Sequence, residues 1–142
     1  MKAKILLRTG SIIMLLHTMG HTVGALTWKE APNVATKQVV DGMLNNRFDF
    51  MGRAVSFGDF YAGYGYTMIG VLLFISVLLW LLSAQPSLPV MLALGLLLLF
   101  MGVIELIYFF PFAAAFSLLA GLVTLLAYWK LRRQLLQVNL LD

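Results

Sequence analysis

The chain has no cysteine, and only 11% of its 142 residues are charged. Without cysteine there is no disulfide framework, no thiolate metal site, no cysteine nucleophile and no haem attached through a CxxCH motif. The scarcity of charge, together with 61% hydrophobic residues and a mean hydropathy of +0.92, lies far outside the range of soluble domains. The composition therefore predicts an all-α integral membrane protein.

Soluble-protein chemistry has little support in the remaining residues. The sequence has no phosphate-cradling glycine loop, no Ser-His-Asp pattern and no nucleotide fingerprint; it leaves the cofactor unknown, with none strongly implied. The net charge of +4 is small and sits mostly at the two ends, in Lys2, Lys4, Arg8, Lys130, Arg132 and Arg133. This distribution favours lipid headgroups over nucleic acid. The predicted partners are membrane lipids, a hydrophobic small molecule, and another copy of the chain or a membrane-complex subunit.

Four segments are long and apolar enough to cross a bilayer, which needs about 20 such residues. They are residues 5–28, 60–83, 88–110 and 112–129, and prolines at 86, 89 and 111 mark the short turns between the last three. We predict a four-helix membrane bundle that forms one domain, residues 1–142. The long connection, residues 29–59, mixes charged and apolar residues, which predicts a partly helical, amphipathic extramembrane cap.

The distribution of positive charge predicts the orientation. Six Lys and Arg residues flank the helices at the two ends of the chain, and four lie in the long connection. This bias favours cytoplasmic termini and an external loop. A rival interpretation treats the first segment as a cleaved signal peptide, because Met1 to Arg8 is a basic start and Val23-Gly24-Ala25 resembles a cleavage site.

Glu105 is the most informative residue, because a carboxylate inside an apolar span needs a partner, a water-filled cavity or a task. In the first segment, His17 and His21 share a helical face with Gly20 and Gly24, which predicts that this face packs against another helix. Counting along the helices places both histidines and Glu105 in the outer half of the membrane. The predicted ligand site consists of His17, His21, Asp59, Tyr61, Tyr64, Tyr66, Glu105 and Tyr108.

Several roles for this polar cluster remain open. Glu105 could pair with a histidine and only fix how the helices dock. His17 and His21 are spaced one helical turn apart and could hold a metal with Glu105, although the segment lacks the glutamate of an HExxH motif. The third role is proton relay or acid–base chemistry on a lipid-soluble substrate.

A resemblance rests on Leu16-His17-Thr18-Met19-Gly20-His21 and, further along, on Asp59-Phe60-Tyr61-Ala62-Gly63-Tyr64-Gly65. With this LHxxGH motif the chain resembles a group of small bacterial membrane proteins with four spans, a likeness that implies the inner membrane and no particular activity. More distantly, it is similar to DoxX-like and emopamil-binding-type bundles, in which acidic and histidine side chains handle a hydrophobic molecule. We therefore expect a protein that binds a small hydrophobic or amphipathic ligand. The alternatives are a metal- or proton-dependent membrane enzyme and a structural subunit of a complex.

Overall fold

A computed structural model describes residues 2–138, which form five helices and one two-stranded sheet. In chain order the elements are α1 (Ala3–Thr27), α2 (Val34–Asn45), β1 (Arg47–Phe50), β2 (Arg53–Ser56), α3 (Phe57–Ala84), α4 (Leu88–Tyr108) and α5 (Pro111–Val138). The predicted helical class is confirmed. The helices number five rather than four because α2 forms inside the predicted loop.

Three helices in this part of the chain are long and apolar enough to cross a membrane: α3, α4 and α5 up to Gln137. Many of their large exposed side chains are apolar, as at Phe74, Phe100 and Leu122. Soluble proteins rarely expose apolar surface on this scale, whereas lipid covers it without cost. The helices therefore mark the chain as a membrane protein. α1 has 25 residues but is not among the three.

The described chain packs as two compact units. The first unit contains residues 2–18 and 72–138, and the second is Met19–Val71. α1 and α3 each contribute one part to each unit. The single membrane domain predicted from the sequence stays a prediction.

In the first unit, α4 and α5 approach closely because leucines of each helix pack against glycines of the other. A Cβ atom at Gly102 would lie 2.6 Å from Leu118 Cγ and 3.0 Å from the Leu118 backbone nitrogen. At Gly121 it would lie 3.0 Å from the backbone nitrogen of Leu99. Small residues on both helices thus allow the close backbone approach that is typical of membrane helices.

Hydroxyl groups join α1 to α3 within the first unit. Ser11 Oγ donates to the Ser76 carbonyl at 2.8 Å, and Ser76 Oγ donates to the Ser11 carbonyl at 2.9 Å. Both side chains are buried. Nearer the start of α1, the Arg8 guanidinium lies 4.8 Å from the centre of the Trp80 ring and contacts Ser83 Oγ at 3.5 Å. The interior of this unit is therefore partly polar, while much of its surface is apolar.

In the second unit, glycines of α3 make room for packing. A Cβ atom at Gly58 would lie 2.9 Å from Leu44 and 3.2 Å from Trp28, and one at Gly65 would lie 3.3 Å from the Ala25 Cβ atom. By contrast, Gly20 and Gly24 are exposed, and apart from the adjoining residues and backbone of α1 itself, no atom of the described residues lies within 4 Å of a Cβ atom built at either one. The predicted close approach at these two α1 glycines is therefore wrong for residues 2–138.

The long connection contains a helix and a hairpin. Asn33 caps α2 by accepting a hydrogen bond from the Thr36 backbone N–H, and α2 confirms that the connection is partly helical. β1 and β2 pair antiparallel around a two-residue turn, Met51 and Gly52, whose φ angles are 55° and 80°. Two positive φ values are the mark of the type I′ turn that suits strand twist. The sequence analysis did not predict this hairpin.

Candidate functional site

Two residues of the predicted site meet inside the first unit. His17 Nε2 of α1 lies 3.7 Å from Glu105 Oε1 of α4, with side-chain exposures of 6% and 12%. The separation exceeds a direct hydrogen bond, so the pair interacts electrostatically or through a water molecule. The contact therefore brings together a histidine and a carboxyl group that are both largely withdrawn from solvent.

A third polar group completes this arrangement. Ser117 of α5 is fully buried, and its Oγ atom lies 3.3 Å from Nδ1 of His17. The Ser117 hydroxyl also lies beside the Glu105 carboxyl group. The imidazole therefore has a hydroxyl at one ring nitrogen and a carboxyl oxygen near the other, which fixes the orientation of the ring.

The other carboxyl oxygen of Glu105 differs from the polar atoms around it in its hydrogen bonding. Oε2 is buried, and no residue in the described range 2–138 forms a hydrogen bond with it. Leaving a buried polar atom without a partner costs about 1–3 kcal/mol, and more for a charged group. A buried acceptor of this kind therefore needs a proton, a water molecule or a ligand donor to satisfy it.

Aromatic rings form one wall of the site. The His17 and Phe116 rings stack at 5.6 Å between centroids, and Phe116 meets Phe112 edge to face at 5.0 Å. We call His17, Glu105, Ser117 and Phe116 the His17 cluster. It combines an acceptor, an imidazole and a hydroxyl with an apolar ring surface, a mixture that suits an amphipathic molecule.

Helical periodicity places each member of the His17 cluster. His17 follows buried Met14 by three positions on α1, and Glu105 follows buried Gly102 by three positions on α4. Ser117 lies on the same face of α5 as buried Ala120. Residues three or four apart share a helical face, so these polar side chains point inward with the residues that pack.

Ser117, His17 and Glu105 follow the order of a serine hydrolase triad, but the geometry does not suit nucleophilic attack. Ser117 is 0% exposed, and it lies within α5 rather than on a strained turn that would present its hydroxyl. Moreover, a catalytic triad needs an oriented path from the acid through the imidazole to an accessible hydroxyl. The three groups are better described as a hydrogen-bonding cluster around the imidazole.

Asp59 has a structural role at the start of α3. Its Oδ2 accepts a hydrogen bond from the Ser56 backbone N–H at 2.9 Å, while its own N–H donates to Ser56 Oγ at 3.1 Å. This reciprocal pair is a capping box. Arg47 lies 3.6 Å from the same carboxylate. The geometry thus gives Asp59 a capping role, whereas the sequence analysis predicted a ligand contact.

The second unit also contains His21 and Tyr61. His21 Nε2 lies 3.1 Å from the Gly65 carbonyl oxygen, and Tyr61 packs against Trp28 with 4.9 Å between ring centroids. Tyr64 and Tyr66 are 72% and 57% exposed in this unit. In the first unit, Tyr108 is 74% exposed. An exposed tyrosine near a helix end is typical of the membrane interface, where its hydroxyl meets water.

The predicted metal site has no geometric support in the described range. Among residues 2–138, no group of three or more histidine and acidic side chains could hold a metal ion. His17 and Glu105 alone supply two potential ligands, and protein sites for zinc use three or four.

Ser117 and Phe116 are the members of the His17 cluster that sequence reasoning missed. The spacing of Ser117, three and four positions from Ala120 and Gly121, indicates a packing face of α5, but nothing in the sequence shows which histidine the hydroxyl meets. Phe116 carries no signal beyond hydrophobicity.

No known protein family, curated protein or solved structure matches this chain.

Proposed function

We propose that the chain is an inner-membrane protein with four spans and cytoplasmic termini, and that its His17 cluster binds a small amphipathic molecule bearing a hydrogen-bond donor. The observation that carries this proposal is the buried Oε2 atom of Glu105, which has no partner within residues 2–138. The ligand's donor would satisfy this oxygen, and its apolar part would lie against the ring of Phe116 or the lipid.

The burial pattern of α1 supports its role as the fourth span. Ser11 and His17, which lower its apolarity, are buried in the first unit, while Ile12, Leu15 and Leu16 are exposed. Polar residues that face inward and apolar residues that face outward are what a membrane helix requires. At about 1.5 Å per residue, its 25 residues are long enough to cross the hydrocarbon core.

The proposed orientation places the His17 cluster in the outer half of the membrane. α4 begins at Leu88, beside the turn from α3, and Glu105 lies 17 residues further along. A helix rises about 1.5 Å per residue, so Glu105 lies roughly 25 Å from that turn. Cytoplasmic termini and four spans put the turn on the cytoplasmic side and Glu105 near the outer face.

Cysteine labelling tests the topology directly, because the chain has no cysteine of its own. In intact cells, Asn45→Cys is expected to react with an impermeant thiol reagent, whereas Gln137→Cys reacts only after the membrane is broken. Both positions are exposed, so burial cannot account for a difference. The opposite pattern would reverse the orientation, and labelling at both positions in sealed cells would rule out four spans.

The small molecules that remain bound to the purified protein test whether the His17 cluster binds a ligand. Detergent-purified wild-type protein and Glu105→Gln are extracted with organic solvent, and the extracts are compared by mass spectrometry. We expect one amphipathic molecule in near-equal amount with the wild-type protein and at least about tenfold less with Glu105→Gln, since a hydrogen bond to a charged group contributes about 1.5–3 kcal/mol. Glu30→Gln, which alters an exposed carboxylate, is the matched control and is expected to retain the molecule.

A purely structural role for the His17 cluster predicts a different result. In that case the wild-type protein yields no specific molecule, and Glu105→Gln, which preserves volume and most hydrogen bonds, stays as stable as the wild type. Equal amounts of the same molecules from all three proteins would also contradict the proposed site.

A further inference from the structure

A cleft opens at the end of the first unit where α1 begins and α5 finishes. It has a volume of about 720 Å³ and is lined by Lys2, Ile5, Lys130, Arg133, Gln134 and Gln137. We call it the basic cleft. Three of its six lining side chains are cationic and two are amides, so its polar groups are mainly hydrogen-bond donors for an anion.

Charge in the first unit is strongly biased around this cleft. Residues 2–18 and 72–138 contain six Lys and Arg residues and a single acidic residue, Glu105, which lies toward the far end of α4. The remaining acidic residue in the unit's sequence, Asp142, lies outside the described residues. In the described part of the unit, no acidic side chain lines the basic cleft. Such a site attracts anions and repels cations.

The surroundings of the basic cleft match a membrane interface. The Arg133 guanidinium lies 5.2 Å from the centre of the Trp129 ring, and tryptophan prefers the headgroup level of a bilayer. A smaller adjoining cleft shares Lys2 and Gln134 with the first and adds the apolar residues Leu7, Leu82 and Leu131. Cationic groups thus lie next to an apolar surface. A lipid with an anionic headgroup and an acyl chain needs this arrangement.

We propose that the basic cleft is a binding site for the phosphate headgroup of an anionic phospholipid in the cytoplasmic leaflet. Arg133 and Lys2 bind the phosphate oxygens, Gln134 and Gln137 donate to ester or glycerol oxygens, and the apolar wall receives the start of an acyl chain. The inference rests on the proposed membrane insertion and not on a ligand at the His17 cluster.

Lipid binding to purified protein tests the proposal. The full chain in nonionic detergent is titrated with phosphatidylglycerol or with phosphatidylcholine, and bound lipid is counted by native mass spectrometry. We expect phosphatidylglycerol to bind more tightly. Each cation contributes about a fivefold change in affinity, so Arg133→Gln should weaken binding about fivefold, and Lys2→Gln with Arg133→Gln about 30-fold.

The neighbouring residue provides a matched control. Arg132 is exposed and does not line the cleft, so Arg132→Gln removes the same charge and is expected to change the affinity less than about twofold. Lys29→Gln with Arg132→Gln matches the double variant in net charge. Arg133→Lys keeps the charge and should retain most of the binding. Equal losses in the cleft variants and their controls would show diffuse attraction and overturn the site.

Two further measurements assign the ligand and separate this proposal from the previous one. Inorganic phosphate is expected neither to displace phosphatidylglycerol nor to protect the protein from thermal unfolding, and equal protection by phosphate would overturn the lipid assignment. The solvent-extracted molecule assigned to the His17 cluster should be unchanged in Arg133→Gln. Loss of that molecule together with the lipid would contradict the independence of the two sites.

Discussion

Gly102→Ala is expected to lower the free energy of unfolding by about 1–3 kcal/mol, the usual cost of overpacking a tight interior. The added Cβ atom would lie 2.6 Å from Leu118 Cγ and 3.0 Å from the Leu118 backbone nitrogen. A side chain can rotate away, but a backbone atom moves only if α4 and α5 separate. Denaturant or thermal unfolding in detergent measures the loss.

Two control substitutions separate the effect of the backbone clash from the effect of adding a methyl group to a helix. Gly70→Ala is the same change on α3, where no described atom lies within 4 Å of the new Cβ atom, and better helix propensity should leave stability equal or slightly higher. At Gly95 the close contact is the Leu125 side chain, while the backbone nitrogen is 3.5 Å away, so Gly95→Ala should cost less than Gly102→Ala. A Gly102→Ala protein as stable as the wild type would contradict the packing.

Removing one member of the His17 and Glu105 pair is expected to cost more than removing both. His17→Leu leaves a buried carboxyl group without its imidazole, and Glu105→Leu leaves a buried imidazole without its carboxyl. Each single change should cost about 1–3 kcal/mol, the penalty for an unsatisfied buried polar group. The double variant should fall within about 1 kcal/mol of the wild type, because replacing both partners of a buried pair with apolar residues is often neutral.

A double-mutant cycle on unfolding in detergent measures the coupling between the two residues. The exposed pair Lys37 and Asp41, at 2.6 Å on α2, serves as the control. Its coupling should not exceed about 0.5 kcal/mol, because exposed ion pairs contribute little. Additive costs at His17 and Glu105 would mean that the 3.7 Å pair carries no interaction energy.

The membrane class and most helix boundaries followed from the sequence, because they depend on local composition. Long apolar runs identified α3, α4 and α5, and the prolines at 86, 89 and 111 marked their turns to within a few residues. α5 extends nine residues beyond its predicted end at 129, since its last turns carry Lys and Arg, which are good helix formers but are not apolar.

The hairpin has a local signal in the sequence. Phe48 and Phe50 alternate with polar residues, and glycine occupies the second turn position at Gly52. This is the pattern of a short strand followed by a tight turn. The methionine at the other positive-φ position, Met51, weakens the turn signal, because glycine, asparagine and aspartate are the residues typical of that position.

The sequence by itself indicated that Glu105 and His17 lie on inward faces of their helices, because a polar side chain in an apolar helix and the 3.6-residue period are both local properties. Only the tertiary structure decided which groups meet. It placed Ser117 and Phe116 beside His17, made Asp59 a helix cap and brought Lys2 to the same cleft as Arg133. These contacts join residues up to 131 positions apart in the chain. Such pairings depend on how helices pack, and helix packing is set by the fit of glycines and leucines across a seam rather than by the pattern along any one helix.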